Sequence, residues 1–226
     1  MMAKHALKLF SLAVIFTTAA ALAQQPSAPV QTEPKATPVA DSTKQSDGPF
    51  GFQYGMTRQQ VIDKLGKGAI VDDSDGHLAF NTAPNPHPDF SLYVVVFSPE
   101  KGLLKVSAIS NDIVTAEDGA ELKSKFHYIR DALIKKYGKA EQEFDFCKGN
   151  DVECQSQFYM MELQDKNRVL SSFWSTAHSS LPGHIHTILV DTKSANLHSG
   201  YITLSYEFDG WDAFMAEQNK KRDSAF

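Results

Sequence analysis

Tyr201-Ile202-Thr203-Leu204-Ser205-Tyr206-Glu207-Phe208 alternates polar and apolar side chains without a break. Successive side chains of a strand point to opposite faces, so Ile202, Leu204, Tyr206 and Phe208 share one face while Tyr201, Thr203, Ser205 and Glu207 share the other. This is the pattern of a strand with one side on a core. Working back from it, further strands are predicted at 142–146, 157–163, 169–174 and 185–190, and a short helix at about 211–221 ends the chain.

Further upstream, Leu104, Val106 and Ala108 alternate with Lys105 and Ser107. The turn Ser98-Pro99-Glu100-Lys101-Gly102 joins them to Leu92-Tyr93-Val94-Val95-Val96-Phe97, whose unbroken apolar run predicts a strand covered on both faces. Pro84, Pro86 and Pro88 make an irregular connection before it. Two shorter strands, 69–72 and 77–80, flank Ser74-Asp75-Gly76. The carboxylates Asp72, Asp73 and Asp75 do not make a calcium loop: with Gly76 at the sixth position, Val71 and Thr82 fall where carboxylates are required. They read as a solvated turn.

Two helices carry clear punctuation. In Gly55-Met56-Thr57-Arg58-Gln59-Gln60-Val61-Ile62-Asp63-Lys64-Leu65-Gly66, Thr57 and Gln60 form a capping box and Gly66 supplies the closing position. The second spans 120–137, with Leu122, Phe126, Ile129, Leu133 and Tyr137 at helical spacing and Gly138 to end it. Val-Ile-Asp-Lys-Leu-Gly-Lys at 61–67 matches Leu-Ile-Lys-Lys-Tyr-Gly-Lys at 133–139, and each closes a helix that hands over to strands. Self-similarity at a fixed offset is the signature of duplication, so tandem helix-plus-strands repeats are expected at 50–115 and 116–226. The expected class is α+β, an antiparallel sheet with helices packed on one face.

Gly55-Met56-Thr57, then Val61, then Leu65-Gly66 leading into short strands, resembles the Gly-Met-Thr repeat of bacterial envelope proteins. That group includes the small lipoprotein of the outer-membrane β-barrel assembly machinery and the secreted β-lactamase inhibitor protein. The resemblance implies helices against an antiparallel sheet, doubled in the inhibitor, and work done by binding other proteins. The second copy departs from the pattern, because no Gly-Met-Thr precedes Leu133, and no cysteine follows the leader to carry a lipid anchor.

The first 23 residues read as a secretory signal: Lys4 and Lys8, an apolar stretch over 9–16, and Ala21-Leu22-Ala23 as cleavage site. That stretch falls short of the roughly 20 residues a membrane-spanning helix needs. Residues 24–47 hold Pro26, Pro29, Pro34 and Pro38 among small polar residues, with too little apolar surface to offset ordering, so a disordered linker is expected before a single folded unit at 48–226. Cys147 and Cys154 are the only cysteines, and in an exported protein a pair flanking Lys148-Gly149-Asn150-Asp151 reads as a disulfide; a redox pair or metal fragment would favour C-x-x-C spacing. A periplasmic or secreted protein is the expectation.

Lys plus Arg number 22 against 27 Asp plus Glu, a net charge of −5, so no basic surface argues for nucleic acid. No G-x-S-x-G or phosphate-cradling glycine loop occurs in the folded part, and no cofactor is implied. His184 and His186 share one side of a strand, with His178 and His198 flanking, so metal is geometrically conceivable; without an acidic ligand or H-E-x-x-H they read as strand-end histidines. His127 stands beside the apolar stripe of the second helix. Aromatic residues crowd the second half, and alternation puts Tyr159 and Tyr201 on the face away from the helices, as anchors for a protein partner. The leading expectation is a non-enzymatic module that binds another envelope protein; the rival is a hydrolase, metal-dependent or otherwise, using the histidine-rich second half.

Overall fold

A computed structural model of the protein describes residues 48–224 except Asp75, Asn150, Asp151 and Ser179. The expected signal at 1–23 and the expected linker at 24–47 lie outside the described residues. In chain order the elements are α1 (Arg58–Leu65), β1 (Ile70–Ser74), β2 (His77–Phe80), β3 (Phe90–Ser98), β4 (Gly102–Ser110) and β5 (Ile113–Val114), then α2 (Ala120–Tyr137), β6 (Gln142–Cys147), α3 (Tyr159–Gln164), β7 (Arg168–Ser175), β8 (Ile185–Asn196), β9 (Ser199–Phe208) and α4 (Trp211–Asp223). The strands form one antiparallel sheet in the order β1-β2-β3-β4-β9-β8-β7-β6, with β5 pairing β9 at its end. Strands β1–β5 follow α1, strands β6–β9 with α3 between β6 and β7 follow α2, and β4 pairs β9.

Local chemistry explains the helix starts. Thr57 accepts from the Gln60 N–H at 3.2 Å while the Thr57 N–H donates to Gln60 Oε1 at 2.8 Å, so two of the orphan donors of α1 are satisfied reciprocally. α2 starts from Gly119 with no side-chain cap. Instead, Glu121 in its first turn accepts from Thr115 Oγ1 at 2.7 Å and the Ala116 N–H at 3.1 Å, and these bonds hold its carboxyl below the ordinary range.

The core lies on the inner face of the sheet. Leu122, Phe126, Ile129 and Leu133 of α2 face Ile202, Leu204, Tyr206 and Phe208 of β9, together with Ile188 and Val190 of β8. Trp174 of β7 is fully buried, and its Nε1 donates to Gly138 O at 2.9 Å, joining the sheet to the end of α2. Cys147 and Cys154 form a disulfide that closes a small ring beside β6. By loop closure a ring this short contributes about 2 kcal/mol. Among the described residues no helix is long and apolar enough to cross a membrane.

Three expectations need correction. The apolar run of β3 is not covered on both faces: Tyr93, Val95 and Phe97 are buried, while Leu92, Val94 and Val96 on the other face are only half-buried. Residues 157–163 are not a strand but a tight turn and the helix α3, whose Tyr159, Met160 and Leu163 are buried. Met, Glu, Leu and Gln favour a helix, and the spacing of Tyr159 and Leu163, one turn apart, lets α3 bury one stripe against the sheet. Tyr159 is therefore not an outward anchor; it is 2% exposed. Finally, not every helix is on the inner face. α4 lies across one end of the other side, where the Lys105 ammonium sits 4.8 Å from the Trp211 ring centre and His186 Nε2 is 3.2 Å from Asp212.

Candidate functional site

Among the described residues, α4 is the helix that crosses the side of the sheet opposite α2 and α3. Strand register fixes what it displays. One cross-strand row runs Gln142, Phe173, Leu189, Ser205, Ser107, Val94; the next runs Phe144, Ser171, Asp191, Thr203, Ile109, Leu92. Tyr201, half-exposed, shares this face with Thr203, as its alternation with Ile202 requires.

The middle of the face is polar and satisfied. Ser107 Oγ and Ser205 Oγ are 2.9 Å apart, Lys105 Nζ donates to Glu207 at 2.8 Å, and Thr203 and Lys193 both donate to Asp191. The β6 end is apolar. Phe144 and Phe146 are 37% and 41% exposed with ring centres 6.3 Å apart, and Leu189 is 36% exposed beside half-buried Phe173 and Val169. These aromatic residues were missed in the sequence because Phe144 and Phe146 would ordinarily be assigned to the core. In β6 the carboxylates face inward instead: Glu143 meets Arg130 of α2 at 3.5 Å, at the margin where the helix no longer covers the sheet. The signal was available in Gln142-Glu143-Phe144-Asp145-Phe146, where a two-residue period offers one aromatic and one acidic face, but it does not say which is inside.

The histidines do not converge. His178 is 2.9 Å from Glu141, His184 is 3.1 Å from Asp209, and His186 pairs with Asp212; His198 and His127 are exposed elsewhere. Among the described residues no group of three or more His, Cys, Asp or Glu side chains could hold a metal. Two constellations have the residue types of a hydrolase. In the first, Glu141 lies between Ser175 and His178, so the imidazole is not placed to take the serine proton. In the second, Thr176 Oγ1 is 3.1 Å from His186 Nδ1 and Asp212 is on Nε2, which is the order of a nucleophile, base and acid. Asp212 is 79% exposed, however, and an acid that stabilises an imidazolium does so from a water-poor site.

Tyr159 belongs to the core chemistry rather than to a site. Burial pushes its hydroxyl up to about 12, and burial pushes Tyr206 well above the ordinary tyrosine value. Both folded values exceed the unfolded value near 10, so these rings' contribution to stability is complete below about pH 10 and is lost as pH rises through the window toward 12. The urea midpoint is expected to hold up to about pH 9 and to fall steeply above about pH 10, with Tyr159 alone accounting for up to about 3 kcal/mol by pH 12. A urea midpoint that does not change between pH 10 and pH 12 would contradict it.

Comparison of the chain with protein-family models, with curated proteins and with solved structures finds no match in any of the three.

Proposed function

We propose that the protein is a non-enzymatic binding module of the bacterial cell envelope, periplasmic or secreted, that engages another protein through the outer face of its sheet. The observation that carries the reading is the apolar cluster of Phe144, Phe146, Phe173 and Leu189 beside a self-satisfied polar band. Exposed aromatic residues on a rigid sheet, rimmed by polar groups, are the composition of a protein interface. The secretory pattern at 1–23, the disulfide and the Gly-Met-Thr resemblance support the setting. Tyr201 borders the polar band on the same face and is the second anchor.

The test is affinity capture from an envelope extract, followed by binding of the captured protein to variants. Phe146→Ala and Tyr201→Ala are each expected to weaken binding about thirtyfold, the cost of truncating an anchor, with little change in melting temperature. Binding untouched by both variants would defeat the proposal. So would ester or amide hydrolysis by purified protein that disappears in His186→Ala, which would instead select the Thr176–His186–Asp212 relay.

A further inference from the structure

On the opposite side of the sheet from that face, a cleft of about 360 Å³ opens between α2 and the turn at 48–50. Its floor is Leu204 and Tyr206 of β9; Ile129 and Leu133 of α2 form one wall, and Phe50 and Phe90 the other. A volume near the lower end of small-ligand pockets suits a small guest: at roughly 30 Å³ for each water-sized group it takes about a dozen heavy atoms.

The wall at Phe50 is built at a cost. Phe50 has φ of 56°, a left-handed backbone that costs a bulky residue about 1–2 kcal/mol. It is held there from both sides. The Asn85 N–H donates to Phe50 O at 2.9 Å, and Gly51 follows in a left-handed conformation of its own, where a Cβ would come within 2.8 Å of Pro84. The strained residue sets its ring edge-on to Phe90, Tyr93 and Tyr206, with centres 5.6, 5.1 and 6.0 Å away, so the ring stands as a wall instead of dropping into the cleft.

The mouth has one sign of charge. Among the described residues Lys136 is the only Lys, Arg, Asp or Glu lining the cleft, and the polar side chains beside it are Asn85, His87 and the exposed Tyr128. Among the described residues the Lys136 ammonium has no carboxylate partner and rests 5.0 Å from the Tyr137 ring centre. The nearby acid, Asp89, is paired with Lys125 at 2.8 Å and stands 3.8 Å from the ring of His87, so its charge is already met beside the cleft. In a chain of net charge −5, an apolar cleft with a lone unpaired cation at its mouth selects for an anion.

We propose that this cleft binds a small amphiphile with one anionic head and an apolar body, of the class of medium-chain carboxylates, with the head at Lys136 and the chain over Leu204 and Tyr206. The probe is decanoate, titrated below its self-association concentration into purified protein that retains residues 24–47 and followed by calorimetry, with decylamine as the cationic control. Saturable one-to-one binding of decanoate, at least tenfold tighter than decylamine, is expected. Lys136→Glu should reverse that preference. Ala132→Trp, which adds a ring to an exposed position of α2 at the mouth, should abolish binding while leaving the melting temperature within a few degrees of the parent. Phe146→Ala, on the other side of the sheet, should leave decanoate binding unchanged, which separates this proposal from the protein-binding one. Absence of saturable decanoate binding, equal affinity for decylamine, or binding that survives Ala132→Trp would each overturn it.

Discussion

Tyr159→Ala is expected to lower the melting temperature by roughly 6–20 °C, the consequence of about 3–5 kcal/mol in a domain of this size. The ring is packed by three elements at once. A Cβ added at Gly119 would lie 2.3 Å from its Cδ1, so the chain before α2 passes directly against it. Lys123 Nζ of α2 and Arg168 Cζ of β7 stand 4.7 and 4.9 Å from its centre, and the next N–H, that of Met160, donates to Glu117 O at 3.0 Å. Truncation leaves a cavity and deprives two neighbouring cations of an aromatic face. The hydroxyl is a different matter. It lacks a well-formed hydrogen bond, Thr192 offering only a marginal one, so Tyr159→Phe should stay within about 1 kcal/mol of the parent. Thermal unfolding of both variants checks the assignment, and a Tyr159→Ala protein melting within 2 °C of the parent would return this ring to the surface.

Gly102→Ala is expected to cost about 3 kcal/mol or more, from two sources. The residue has φ of 72°, where an L side chain costs about 1–2 kcal/mol, and the added Cβ would fall 2.4 Å from Gly55 O and 2.8 Å from Met56 O. Those atoms are backbone and cannot turn aside. Gly55 donates to Leu103 O at 3.1 Å and Leu103 donates back to Met56 O at 2.9 Å, so the segment leading into α1 is stitched to the start of β4 where the methyl would have to go. Overpacking of this kind adds about 1–3 kcal/mol. Gly68→Ala is the control: its Cβ would meet nothing within 4 Å, and a change within about 0.5 kcal/mol is expected. Equal urea midpoints for the two variants would refute the close approach. This contact also accounts for Gly55 and Met56 of the Gly-Met-Thr segment as a docking strip, while Thr57 serves the helix as its cap.

The elements legible without coordinates were those whose determinants lie within a few residues. The capping box of Thr57 and Gln60, the stripe of Leu122, Phe126, Ile129 and Leu133, and the strict alternation of 201–208 each specify a local conformation and a buried side, and a pair of cysteines seven residues apart specifies its own ring. What the tertiary structure alone decided depends on partners distant in the chain. How deeply Tyr159 would be buried depended on Gly119 and Arg168, which close over its ring and place it in the core and not on the expected surface. That β6 would leave both its faces exposed was settled by its place at the sheet edge: Glu143 reaches Arg130 of α2 from the inner side while staying in water, and Phe144 and Phe146 are left exposed on the other, against the ordinary preference of phenylalanine. Periodicity fixes which side chains lie together on a face, whereas burial depends on what comes to rest against that face, and in this sheet those covers are α2, α3 and α4, up to about a hundred residues away along the chain.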